Sequence, residues 1–401
     1  MSELTHFGLV VLVVAVGATA AVLAYRVSER TRIPAAGLLL VAAAVASDIV
    51  PELAKALSTR DVERLAVVAL IVILFDGGMR VGRRRFTEAL APIAALGIVG
   101  TLATAVIVAV AARALLDVSW SSAAVIGAAL APTDPAVMFS VFGRSEVSGR
   151  TATILEGEAG TNDPVGIALT VAALDVATSG SSAGGDAVAE LFAGLGIGVA
   201  VGVVGGLFLA EATPRLSLPG ASLYPLWTLS IAAVVYGAAA AAHGSGFLAV
   251  YVAGIVAGDA ELPARRTILG FQTSLAGLAE IVVLVALGLT VDVTALGDEW
   301  LWLQGLVLAA VLLVIARPVA VAPLLLPARL TSGERAFVVW GGLKGAVPIL
   351  LASFALLEGL DDADRIYGVV FVVVACSVFV QGSTIPLVAS RLGVPMRQAG
   401  A

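Results

Sequence analysis

The sequence predicts an all-α polytopic membrane protein of about thirteen helices, arranged as an inverted-topology repeat with two interrupted helices that cross. Three observations predict it. Hydrophobic residues make up 60% of the 401 and charged residues only 13%, where a soluble domain carries ~25% charge. Thirteen stretches are apolar, and most approach the ~20 residues that a bilayer core requires. Two of these stretches, the fifth and the twelfth, gather proline or glycine around a charged residue at mid-span. A mean hydropathy of +1.04 agrees. The net charge of −6 says little, because where the charges fall matters more than their sum.

In order, the spans cover residues 6–25, 34–48, 63–79, 88–112, 120–142, 151–175, 187–210, 223–242, 245–259, 267–290, 300–327, 335–357 and 366–389. The first lacks the basic n-region and cleavage site of a signal peptide. The second and ninth are short. Basic residues test the count, because cytoplasmic loops are enriched in them. Loops after odd spans hold Arg26, Arg30, Arg32, Arg80, Arg83–Arg85, Arg144, Arg150, Arg215, Arg265, Arg266, Arg329, Arg335, Arg391 and Arg397, which is 16 of the 23. Loops after even spans hold Lys55, Arg60, Arg64, Arg113 and Arg365. The alternation places the N-terminus outside and the C-terminus in the cytoplasm of a plasma-membrane protein. No soluble regulatory domain is expected after residue 397. The two remaining basic residues, Arg317 and Lys344, fall inside spans.

Span 5 reads "SSAAVIGAALAPTDPAVMFSVF". Pro132 and Pro135 bracket Thr133 and Asp134, and two prolines this close unwind a helix. In span 12, Gly341, Gly342, Gly345 and Pro348 crowd around Lys344. The two spans lie seven apart and so run in opposite directions. Broken helices in opposed halves mark a midplane binding site. Taken singly, each could be an ordinary kinked span.

Span 6 supplies the chemistry in "EGEAGTNDPVG" at 156–166. Ionisable groups inside a membrane are functional by default. Glu158 and Asn162 share a helix face, with Asp163 one residue further round. Asp76 stands near the cytoplasmic end of span 3, in "ILFDGGMRVGRR". Asp163, Asp134 and Asp76 are candidate oxygen ligands, and Asn162 and Thr133 add neutral oxygens. All-oxygen ligation suits a hard cation. The single Cys376 rules out a disulfide framework or a cysteine metal site, and His6 and His243 look peripheral. Glu280 and Arg317, buried in spans 10 and 11, form a possible secondary pair. Glu156 points to a different face from Glu158 and is expected to have no direct role.

At these residues the chain resembles a family. "APTDP", "EGEAGTNDP", "FDGG", "GGLKGAVP" and "GSGFLAVYVAG" together are similar to the CPA1-type monovalent cation:proton antiporters, the NhaP-like exchangers, over essentially the whole length. The resemblance implies a thirteen-helix antiporter fold acting as a homodimer, with a core and a dimerisation domain. Spans 3–6 (63–175) and 10–13 (267–389) are assigned to the core, and spans 1–2 and 7–9 (6–48 and 187–259) to the scaffold. It implies that Asp163 binds either the cation or a proton, with Asp134 and Thr133 lining the site, Asn162 supporting it and Asp76 on the approach. It also implies a structural ion pair between Glu158 and Lys344. Lys344 departs from the arginine common in the family. Ala159 departs from a serine that supplies a ligand oxygen in many sodium exchangers, so sodium and potassium both stay open.

The function expected is therefore secondary active exchange of Na⁺ or K⁺ for H⁺ by alternating access, serving pH and cation homeostasis. Asn162 cannot titrate, so an electroneutral one-for-one cycle is expected. No enzyme activity, cofactor or nucleic-acid partner is expected, only the two ions, the bilayer and a second copy. A passive cation channel is one alternative, although channels usually build filters from rings of subunits. An intramembrane aspartyl protease using Asp134 and Asp163 is another, but the Gly-x-Gly-Asp context is missing from both.

Overall fold

The computed structural model of the chain describes residues 2–31, 33–54, 57–134, 145–179 and 184–398. Its helices follow the apolar stretches. The first half contains α1 (Ser2–Thr31), α2 (Ala35–Ile49), α3 (Thr59–Glu88), α4 (Leu90–Leu116), α5 (Trp120–Leu130) and α6 (Gly149–Ser179). There follow α7 (Gly184–Arg215), α8 (Leu223–Ala241), α9 (Gly246–Gly258) and α10 (Arg265–Leu289). The last four are α11 (Leu301–Leu325), α12 (Ser332–Trp340), α13 (Ala346–Leu357) and α14 (Ala363–Arg391). Among the described residues, seven helices are long and apolar enough to cross a membrane, and five shorter apolar ones accompany them. Helix α6 is outside both sets because the polar run Thr161–Asp163 dilutes it.

Both expected interruptions are present. Helix α5 starts on a Ser119 cap and stops at Leu130, just before Pro132, whose ring removes a donor from the ladder. Pro135 and the rest of span 5 lie outside the described residues. Span 12 divides into α12 and α13, with no helix between Trp340 and Ala346. A capping box of Thr331 and Glu334 starts α12. Thr151 Oγ1 of α6 donates to Glu334 Oε1 at 2.8 Å, joining the starts of these two helices. One small departure from an all-α fold is an antiparallel pair, β1 (Ser145–Val147) with β2 (Met396–Gln398).

Helix packing sorts the bundle into two groups. In one, α9 lies against α3 and α7, while α10 rests on α2 and α3. Backbones touch at the α3–α9 contact: a Cβ on Gly78 would stand 2.4 Å from the Tyr251 carbonyl oxygen, and one on Gly254 2.6 Å from that of Phe75. Small residues allow such approaches where lipid gives helices no hydrophobic reason to associate. In the other group, α4 packs on α5 and α5 on α6, while α11 and α13 both pack on α14. The sequence placed spans 3 and 10 with the core, whereas by contact α3 and α10 pack with α2, α7 and α9. Gly78 and Gly254 are far apart in the chain, so their pairing is invisible to a division by chain order.

Candidate functional site

The two interruptions meet inside the bundle. The Asp134 N–H donates to the Leu343 carbonyl at 2.8 Å, a backbone bond between two unwound segments. Lys344 Nζ donates to the carbonyls of Ala131 at 3.0 Å and Pro132 at 2.8 Å. Those carbonyls are released where α5 ends, so an ammonium stands at the negative end of a helix dipole. Asp134 answers from the other side. It lies against Gly345, the residue before α13, where a Cβ would be 1.9 Å from its Oδ2. A carboxylate there faces the positive start of α13. Each break is compensated by a charge carried on the other. Helix α14 braces the arrangement: Ser377 Oγ accepts from the Lys344 N–H at 3.0 Å, and Gln381 Nε2 donates to the Trp340 carbonyl at 2.8 Å.

Asn162 and Thr133 bond to each other beside the crossing. Asn162 Nδ2 donates to Thr133 Oγ1 at 2.8 Å, and the Thr133 N–H returns a bond to Asn162 Oδ1 at 3.3 Å. Both residues are buried, and neither lines the central cavity. They tie the break in span 5 to α6.

Glu158 does not pair with Lys344. Its carboxylate takes both guanidinium nitrogens of Arg317, with Nη2 to Oε2 at 3.0 Å and Nη1 to Oε1, while Nη2 also reaches the Val338 carbonyl. The pair is 1% and 4% exposed. Planar guanidinium matches carboxylate in this two-pronged way, and ammonium does not. Gly342 makes the space, because a Cβ there would stand 2.4 Å from Arg317 Nε. The proposed Glu280–Arg317 pair falls with the same observation.

A cavity of about 390 Å³ gathers Asp163, Asp134 and Asp76 as expected, and adds Glu156, Glu280, Tyr25 and Tyr251. Asp163 is 8% exposed, and its Oδ1 is buried with no hydrogen-bond partner among the described residues. Such orphaned acceptors are rare. Asp76 is engaged: Arg80 Nε donates to its Oδ2 at 2.8 Å, and Thr273 Oγ1 to its Oδ1 at 3.1 Å. Tyr251 of α9 lies against Gly160, where a Cβ would stand 2.2 Å from its ring, and so reaches α6 one turn before Asp163. Among the described residues, no three carboxylates, histidines or cysteines converge into a group that could hold a metal ion.

A second cavity of about 690 Å³ shares Arg80, Glu156 and Thr273 with the first and is lined further by Arg84, Arg85, Arg150 and Arg265. Arginines from three loops that the sequence assigns to one membrane face thus meet around one vestibule. Glu156, read from sequence as a bystander, stands where the two spaces join.

A family profile described as the transmembrane sodium/hydrogen exchanger matches residues 17–391. The chain belongs to this family. Among its relatives, this member is 36% identical over 332 residues to a K(+)/H(+) antiporter NhaP of Alkalimonas amylolytica, covering 82% of the chain and 57% of the relative. It is 33% identical over 320 residues to a K(+)/H(+) antiporter NhaP2 of a Shewanella species (strain ANA-3), covering 79% and 55%. The family member thus spans somewhat more than half the length of these relatives. Its fold matches the solved sodium proton antiporter MjNhaP1 of Methanocaldococcus jannaschii with a TM-score of 0.80, at 21% identity, covering 96% of this chain and 99% of that one.

One further feature of the site has a signal in the sequence. Thr273, Gly277 and Glu280 recur at helical spacing on one face of α10 and line one wall of the cavity. Arg317 follows a widened π-helical turn at Leu312–Ala316, a distortion that the folded backbone shows and the sequence does not. Nothing in the sequence around Tyr25 marks it as a cavity residue.

Proposed function

We propose that this chain exchanges a monovalent cation for protons across a membrane by alternating access, with Asp163 holding either one. The observation that carries this reading is the buried Asp163 carboxylate, with an unpartnered oxygen, in a cavity beside the crossing of two broken helices. One negative charge cannot hold both guests at once, so binding one expels the other. Either guest neutralises the site, and a neutral site crosses a low-dielectric barrier more readily than a charged one. Asp134 lines the passage and Asp76 guards its approach, while Thr133 and Asn162 hold the geometry. The relatives' names support this exchange. Ala159 lines the cavity where a serine would offer a small cation another oxygen, so potassium is the first ion to test.

The moving unit proposed is α4–α6 with α11–α14, and the scaffold α1–α3 with α7–α10, because packing divides the bundle along that line. The cavity is walled by both. A homodimer in the plasma membrane, with N-terminus outside and C-terminus inside, is the arrangement that the family resemblance and the arginine distribution support. Crosslinking in membranes and the accessibility of engineered cysteines at each terminus test it.

The deciding experiment follows ΔpH in everted vesicles with a fluorescent dye while K⁺, Na⁺ or Li⁺ is added in turn. Dissipation by at least one cation is expected, and no response to any of them would overturn the proposal. Cation flux without proton movement would decide for a channel. Asn162 offers no second proton, so transport in proteoliposomes is expected to be insensitive to membrane voltage. A voltage-dependent current would contradict a one-for-one cycle.

Gly345→Ala tests the crossing. Its Cβ would displace the Asp134 carboxylate, and misplacement by ~1 Å can lower a rate ~100-fold. Exchange is expected to fall at least about tenfold while the protein elutes normally on size exclusion.

A further inference from the structure

Glu280 is a carboxylate that the proposed cycle leaves without a task. It sits in α10, on the packing group that opposes α6, and lines the same cavity as Asp163. The cation that the sequence offered it, Arg317, is held by Glu158. The titratable and charged groups that line its cavity are Tyr25 of α1, Asp76 and Arg80 of α3, Asp134 at the crossing, Glu156 and Asp163 of α6, and Tyr251 of α9. The positive charges of this region are engaged elsewhere. Arg80 bonds to Asp76 and Thr273, and Lys344 to two carbonyls. No salt bridge of Glu280 is found among the described residues. A carboxylate inside a membrane bundle without a counter-charge calls for one.

We infer that Glu280 is a second cation-attracting carboxylate of the cavity that Asp163 lines, contributed from α10, and that it raises the affinity of the site for its alkali ion. Glu280 stays on the scaffold side and draws the ion into the cavity, while Asp163 with its single guest remains the neutral unit that crosses. This rests on the proposed exchange, but its test reads binding separately.

Purified protein in detergent is titrated with KCl or NaCl against choline chloride, and the rise in Tm reports binding, because a ligand that binds only the folded state stabilises it. For Glu280→Gln the cation concentration at half-maximal shift is expected to rise at least about fivefold. Glu280→Asp, which keeps the charge, should lie between it and wild type. In proteoliposomes, KM for the cation should rise likewise, with the loss of rate greatest at low cation concentration. A merely structural role would lower Tm without moving either midpoint. An unchanged midpoint in Glu280→Gln overturns the inference, as does the absence of any cation-specific shift in wild type. If the glutamine variant does not fold, Glu280→Ala and Glu280→Asp are read in the same way, and flat midpoints overturn it. Asp163→Asn is the separate arm. Wild-type exchange in that variant would sink the assignment of Asp163 whatever Glu280 does.

Discussion

Asp163→Asn is expected to abolish cation-dependent proton movement, lowering it at least about a hundredfold. Asparagine has nearly the same shape, so the variant should fold and insert normally. It lacks the charge that attracts the ion and the acid that carries the proton. At 4 Å and an effective dielectric of about 20, an ion–carboxylate attraction is ~4 kcal/mol, and each ~1.4 kcal/mol is a factor of ten in affinity. The buried, unpartnered Oδ1 means that no neighbouring bond in the described residues takes over the role. The loss should appear equally for K⁺, Na⁺ and Li⁺, because what has gone is the shared charge and not a selectivity feature. Vesicles that answer any of the three ions at the wild-type rate would overturn the assignment.

Arg317→Met is expected to destabilise the folded protein by about 3–5 kcal/mol, because it strands the Glu158 charge in a dry interior. Glu158 is 1% exposed and both of its oxygens face the guanidinium, so water cannot easily compensate. The double change Glu158→Leu with Arg317→Met should recover most of that loss, since replacing a buried pair with apolar groups is often neutral or stabilising. A thermal denaturation cycle in detergent measures both. Strong coupling between Glu158 and Arg317, with weak coupling between Glu158 and Lys344, is the pattern that the observed contacts require. Coupling to Lys344 of equal size would restore the pairing expected from sequence alone.

That pairing is where the sequence was misleading. Two basic residues lie inside spans, and the choice between them depends on a void that only Gly342 provides. Its meaning appears when the chain is folded, with a Cβ at 342 colliding with Arg317. The two interruptions were legible because proline and glycine weaken a helix whatever surrounds it. Asp163 was legible because hydrocarbon tolerates few unexplained carboxylates. Glu280 was visible as a buried charge, but its direction was not. The helical spacing from Thr273 through Gly277 to Glu280 is the signal that the sequence carries, and Arg317 is the nearest buried cation along the chain. The pairing of α3 with α9 was illegible for a related reason. Helix α3 joins α9 through backbone contacts at glycines, and glycine carries no pattern that names its partner.

Lys344 at the end of α5 and Asp134 at the start of α13 have a consequence for how the crossing behaves in an energised membrane. The two fixed ions are opposite in sign, and each is matched to the half-helix pole that it faces. Together with those poles they form a closed quartet whose contributions cancel at a distance, much as in a shielded cable. An applied field would tug the members in opposing directions and deliver little net force to the junction. Its electrical personality is therefore lent by whichever passenger sits at Asp163, while the frame around that seat stays silent.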